Sequence, residues 1–255
     1  MGVASAVWLT IGVVALGAAL AGFVEGAAEV EFPIVAMSVW AWTLPPQLAA
    51  PLAVFGALLG AVAGLFPLRG GFDLRRVAPF AIGGVLGVPL GVFLLHNADL
   101  LRFRVAVGAL LALYAIFVLA FRDSTRVKAG GIGADAFVGV IGGALGGLCA
   151  LAAAPLAIWT RLRGWKRDPR RAAIRAYVIV VAVATLAAYA HTGAVDPADL
   201  RLFSIVAPAA LIASFLGARL AGKGGAQAIG RIALLLTLAS GVALLVGAGR
   251  ALWGR

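Results

Sequence analysis

Gly139-Val140-Ile141-Gly142-Gly143-Ala144-Leu145-Gly146-Gly147 sits inside a stretch, 136–160, that contains no Asp, Glu, Lys or Arg. Seven further stretches share that property: 1–24, 32–68, 77–95, 105–121, 176–195, 202–218 and 232–249. A helix needs roughly 20 apolar residues to cross a bilayer core, and these blocks reach or approach that length. Within lipid every backbone N–H and C=O has to be paired inside its own segment, which selects helices. The alternating polar and apolar strands of an outer-membrane barrel are absent. The whole chain agrees, with 63% of its 255 residues hydrophobic and 12% charged, about half the charged fraction of a soluble domain. The expectation is an all-α, multi-pass integral membrane protein.

The net charge of +11 does not indicate nucleic acid. The basic residues lie between apolar blocks, as they do in cytoplasmic loops of membrane proteins. Cys149 is the single cysteine, which excludes an intrachain disulfide and a cysteine-rich metal site. Met1–Val24 lacks a basic leader region and reads as a retained membrane segment. The Ala, Gly and Arg bias suits a bacterial gene, and with it a cell inner membrane.

The opening glycine run has an echo. Gly22-Phe23-Val24-Glu25-Gly26-Ala27 precedes Gly139-Val140-Ile141-Gly142-Gly143-Ala144 by 117 residues. Pro45-Pro46-Gln47-Leu48-Ala49-Ala50 pairs with Asp168-Pro169-Arg170-Arg171-Ala172-Ala173 at 123, and Asp73-Leu74-Arg75 with Asp199-Leu200-Arg201 at 126. Offsets that grow slowly and in order are the trace of a duplication. The spacing predicts a first membrane repeat over 1–122, a cytoplasmic linker over 123–134 and a second repeat over 135–255. Each repeat reads as a Gly-broken re-entrant hairpin (5–42, 136–160) and three helices. These are 44–66, 77–95 and 103–121, then 174–191, 202–220 and 230–249.

Charge distribution orients them. If each broken segment enters and leaves on one face, loops 69–76, 122–128, 161–175 and 219–231 share a side. They hold sixteen of the 21 Lys and Arg residues. Single crossings would divide the same residues nearly evenly, so the positive-inside rule favours inverted repeats. Inverted repeats with broken helices are a transporter architecture, with substrate near the midplane facing half-helix N-termini. On that reading Gly22, Gly26, Gly139, Gly143 and Gly146 let backbone approach a substrate; the same glycines equally suit close helix packing.

Glu25 and Glu29, four residues apart, share a helix face, and Glu31 follows. A carboxylate at membrane depth is costly unless paired, protonated or hydrated, which marks the trio as candidate ion-coupling residues. Arg175, just inside a helix after the basic loop, is a candidate for attracting an anion. Arg161 to Arg171 suit anionic lipid headgroups, and Trp8, Trp40, Trp42 and Trp159 an aromatic belt. No ATP-binding loop motif occurs. No catalytic constellation, resident metal or cofactor is expected.

The two glycine-rich openings, Pro33 and Pro155 after them, and Pro169-Arg170-Arg171-Ala172 resemble the TauE/SafE family of membrane permeases. So does the run from Arg76 through Gly83, Gly87 and Gly91 to Leu101 and Gly108. The resemblance implies a secondary transporter for a small, often sulfur-containing, anion; burial and mutual repulsion of the carboxylates add the expectation of proton coupling through Glu25 or Glu29. The expected partners are that anion, protons and membrane lipid; self-association stays open. The sequence departs from the family where Glu25-Gly26-Ala27-Ala28-Glu29-Val30-Glu31 replaces a glycine run. That departure sustains an alternative, a cation or metal-ion permease using Glu25, Glu29 and Glu31 as oxygen ligands.

Overall fold

A computed structural model describes residues 3–65, 74–120, 130–193, 195 and 199–253. Among these residues the chain forms ten helices and no strand. They are α1 (Val3–Ala28), α2 (Phe32–Thr43), α3 (Pro46–Leu65), α4 (Leu74–His96), α5 (Leu100–Ala120), α6 (Ile132–Cys149), α7 (Ala153–Leu162), α8 (Arg167–Thr192), α9 (Leu200–Leu220) and α10 (Lys223–Trp253). Eight of them, all but α2 and α7, are long and apolar enough to cross a membrane. Large apolar side chains on the outside, Trp8, Leu86, Phe93 and Leu236 among them, are more than half exposed. A surface of that kind needs lipid around it. Arg69, Arg122, Arg126, Lys128 and most of the 123–134 linker lie outside the described residues.

The segments expected as broken hairpins are each a membrane-length helix followed by a short one. The breaks do not fall at glycines. Gly22 and Gly26 lie inside α1, and Gly139, Gly143 and Gly146 inside α6. The first break is Glu29-Val30-Glu31, with Glu29 at φ 61°, and the second is Ala150-Leu151-Ala152, with Ala150 at φ 64°. α2 doubles back along α1, where Trp40 Nε1 donates to the Val13 carbonyl at 3.2 Å. α7 likewise returns beside the start of α6, where Trp159 Nε1 donates to Asp135 Oδ1 at 2.7 Å.

The glycines set how close helices come. A Cβ on Gly22 would lie 2.3 Å from the Ala210 carbonyl oxygen, and one on Gly26 1.9 Å from that of Ser214. Those pairings run in step, so α1 and α9 are parallel neighbours. In the same way Gly139 abuts the Phe80 carbonyl and Gly143 that of Gly84, at 2.2 and 1.9 Å from a notional Cβ. This makes α4 and α6 parallel neighbours. Small residues that let backbones meet are the main packing device between helices in lipid, where no hydrophobic drive operates.

α2 is held firmly for a 12-residue helix. Arg104 of α5 caps its C-terminal end, with Nη2 donating to the Trp42 carbonyl at 2.6 Å and Nε to that of Ala41 at 3.1 Å. A guanidinium there satisfies orphan carbonyls and opposes the helix dipole. The four tryptophans expected in an aromatic belt differ in exposure. Trp8 is 72% exposed, whereas Trp40 is fully buried against Gly17 and edge-on to Phe32 at 6.1 Å. Its indole needs a hydrogen-bond partner in an apolar core, and the α1 carbonyl supplies it.

Candidate functional site

The Glu29–Glu31 break reaches the first two turns of α8 through the Glu29 side chain. Arg167, Arg171 and Arg175 recur every fourth residue there and so form one stripe. Asp168 in the first turn favours the N-terminal dipole, and Pro169 is tolerated that early in a helix. The result is a helix that begins inside the basic cluster rather than after it.

Glu29 is gripped from two sides. Arg171 Nη2 lies 2.7 Å from Oε1 and Arg167 Nη2 3.0 Å from Oε2. The Arg171 and Glu29 side chains are 27% and 31% exposed, so that pair is partly withdrawn from solvent. Arg171 keeps a further donor: its Nε is buried and has no hydrogen-bond partner. A buried donor left unpaired costs free energy, so each such group asks for an acceptor.

Arg175 and Glu25 are seated side by side on α3. The Arg175 guanidinium lies over Gly64 and Nη1 donates to the Gly64 carbonyl. One turn earlier, the Glu25 carboxylate lies over Gly60, with Oε2 only 2.1 Å from where a Cβ would stand. Gly60 and Gly64 therefore form a groove for two oppositely charged groups. Glu31, outside the membrane-length helices, stands at the N-cap position of α2 without a side-chain capping bond. Burial pushes its carboxyl up to about 7, against the opposing pull of Arg175 and then Arg171.

Two spaces open around this cluster. One, of about 180 Å³, lies between α5, α7 and α8; Arg161, Arg170, Arg171, Arg175, Glu31 and Tyr114 are among the residues around it. The other, an open cleft of about 1200 Å³, reaches Glu25, Gly26, Arg171 and Arg175 from the side of α9 and the start of α10. Arg171, Arg175, Arg167 and Glu29 border both, and so stand between them.

Glu25, Glu29, Glu31 and Arg175, singled out in the sequence, thus converge on one site. Gly26 borders the cleft. Gly22, Gly139 and Gly143 meet neighbouring helix backbones, and Gly146 borders a separate small cavity at the second break. Sequence reading assigned Arg167 and Arg171 to lipid headgroups and passed over Gly60, Gly64 and Tyr114. The 167–171–175 spacing was a usable signal for a charged stripe. Gly60 and Gly64 carry no such signal in a chain with 34 glycines.

Among the described residues no group of three or more His, Cys, Asp or Glu is gathered to hold a metal ion. Glu25 of α1 and the two bend carboxylates, Glu29 and Glu31, are spread among arginines instead.

Among the described residues the chain is thus a multi-pass helical bundle with a charged, arginine-rich site at a helix break. The chain belongs to the sulfite exporter TauE/SafE family, whose profile matches residues 14–244, and so to a family of membrane transporters of sulfur-containing anions. No curated protein and no solved structure matches the chain.

Proposed function

We propose that this protein is a secondary transporter that binds a small sulfur oxyanion, sulfite or a small sulfonate, in the arginine-lined space beside the Glu29–Glu31 break. The observation that carries this is the unpartnered, buried Nε of Arg171 at the edge of a cavity of about 180 Å³. A guanidinium offers five N–H donors in a planar fork that suits oxyanions. Glu29 takes two donors at most from the pair Arg167 and Arg171 and holds them in place. Arg175, fixed on Gly64, adds a second cation at the same opening.

The carboxylates divide their work. Glu29 is the fixed counter-charge. Glu31 binds a proton near neutrality; its protonated form leaves the arginine field open to an anion, and its ionised form competes for it. Proton and anion then travel in linked steps, with Glu25 on the cleft side as the second carboxylate of the relay. Cation ligation has less support, because both oxygens of Glu29 already face guanidinium groups.

The proposal includes the architecture. Repeats over 1–122 and 135–255 are inverted copies in a bacterial inner membrane, with the arginine-rich end cytoplasmic. Support comes from reciprocal packing: α1 lies on α9 as α6 lies on α4, while α3 meets α8 and α5 meets α10. Where α5 and α10 cross, Gly108 and Gly241 face each other's carbonyls. An exchange of first and second repeat leaves that pattern of neighbours unchanged.

A thermal-shift comparison of detergent-purified protein tests the function. A ligand that binds only the folded state raises its melting temperature. Sulfite should stabilise the wild type, more so at pH 6 than at pH 8, and should fail to stabilise Arg171→Gln. Stabilisation by a divalent cation, lost in Glu29→Gln and Glu31→Gln, would replace the anion reading with the cation one.

A further inference from the structure

The second break, Ala150-Leu151-Ala152, borders a small cavity that begins one turn along α8 from Arg175, at Val178, and extends to Thr185. Gly146, Ala150 and Ala152 line one side, Val54 and Ala57 of α3 another, and Val181 and Thr185 of α8 the third. Val54 and Ala57 fall near the middle of α3 and Val181 near the middle of α8, so the cavity lies at mid-depth in the bundle. Thr185 is 0% exposed. Its Oγ1 has no hydrogen-bond partner, although a helical threonine normally has the carbonyl one turn back within reach.

The backbone around the cavity offers hydrogen-bond donors from the α7 side. Three carbonyls near the end of α6 are engaged: Leu145 by Cys149 Sγ at 3.3 Å, Gly146 by the Ala150 N–H at 2.9 Å, and Gly147 by Tyr189 Oη at 2.6 Å. The N–H groups of Ala152 and Ala153, at the start of the 10-residue α7, donate to no backbone acceptor among the described residues. Spare donors at a helix N-terminus carry partial positive charge, and the Thr185 hydroxyl can add one more.

We infer that the Thr185 cavity is a second oxyanion station, at mid-depth, where the anion is held by neutral donors alone after it leaves the arginine site. The inference rests on the anion-transport reading above. The space is about 10 Å³, room for a water-sized group, so an oxyanion enters only when the wall moves back. Gly146 and the Ala150–Ala152 turn form the wall that must retreat, because α8 and α3 present continuous helix. Two stations of different character serve transport: a charged one collects the anion, and a neutral one releases it easily.

The test is Thr185→Val, which keeps the shape and removes the hydroxyl, with Thr185→Ser restoring it. Sulfite flux into proteoliposomes and sulfite-induced thermal shift are measured on each. We expect Thr185→Val to raise the half-saturating sulfite concentration about tenfold, the worth of one lost hydrogen bond to an anion. Its melting temperature without sulfite should be unchanged or higher, since an unpaired buried hydroxyl has been removed. Thr185→Ser should stay within about twofold of wild type, and if Thr185→Val fails to fold, Thr185→Ala is measured in its place. Wild-type half-saturation in the variant without the hydroxyl would overturn the station and leave the arginine site standing. Absence of any sulfite response in the wild type would overturn both.

Discussion

Gly60 and Gly26 offer the same one-methyl perturbation with opposite expected outcomes. A Cβ on Gly60 would meet the Glu25 carboxylate first, at 2.1 Å from Oε2 and 2.4 Å from Oε1. That group is the far end of a flexible chain and can swing away, at about 0.5–1.5 kcal/mol for a strained rotamer. Helical alanine in place of glycine returns about 0.4–1 kcal/mol, so Gly60→Ala should leave stability within about 1 kcal/mol of wild type. A Cβ on Gly26 would instead stand 1.9 Å from the Ser214 carbonyl oxygen, where ordinary contact begins at 3.4 Å. The difference, about 1.5 Å, has to come from parting α1 and α9, because backbone cannot rotate aside. Overpacking of that kind reaches about 3 kcal/mol, so Gly26→Ala should be the less stable by about 2 kcal/mol. At roughly 2–4 °C per kcal/mol for a chain of this size, its melting temperature should be lower by about 4–8 °C. Functionally the order reverses. Gly60→Ala evicts Glu25 from its seat and should uncouple anion flux from the proton gradient in proteoliposomes while the protein stays folded. Equal melting temperatures for the two variants, or fully coupled flux in Gly60→Ala, would refute the reasoning.

Glu31, pushed up to about 7 by burial, sets a pH dependence with a definite sign. A carboxyl with a raised folded value favours the fold most below its unfolded value near 4.5 and loses that contribution as pH rises through about 7. Wild-type sulfite affinity and melting temperature should both fall across that interval, and Glu31→Gln should flatten both profiles; an unchanged slope in the variant would remove Glu31 from the relay. Tyr189→Phe deletes the 2.6 Å hydrogen bond from a fully buried hydroxyl to the Gly147 carbonyl. Its melting temperature should drop by the equivalent of about 1 kcal/mol, and no drop would mean that the end of α6 is held by packing alone.

Uncharged blocks in the sequence translated into helices with few surprises. The expected 77–95 became Leu74–His96, and 103–121 became Leu100–Ala120. Where a boundary moved far, charged residues were the cause. The expected 174–191 became Arg167–Thr192, because arginine is a good helix former and the turn before it, not its charge, starts the helix. Break positions were misjudged for a related reason. Gly22, Gly26, Gly139 and Gly143 suggested places where backbone turns, but they meet neighbouring helices face to face. The turns fall at Glu29 and Ala150, non-glycine residues with positive φ, which sequence alone does not single out. Of the site, the carboxylates and Arg175 stood out because charge is rare in such a chain. Gly60, Gly64 and Thr185 did not, because their roles come from what lies opposite them.

Flux of radiolabelled sulfite into proteoliposomes, wild type against Arg171→Gln and Arg175→Gln, tests the central claim most directly. Wild-type protein should show saturable uptake that increases as the medium is acidified from pH 8 to pH 6. Each arginine variant should lose at least about tenfold in affinity, the scale of one charge-assisted hydrogen bond. Wild-type uptake no greater than that of empty liposomes, or unchanged affinity in both variants, would contradict it.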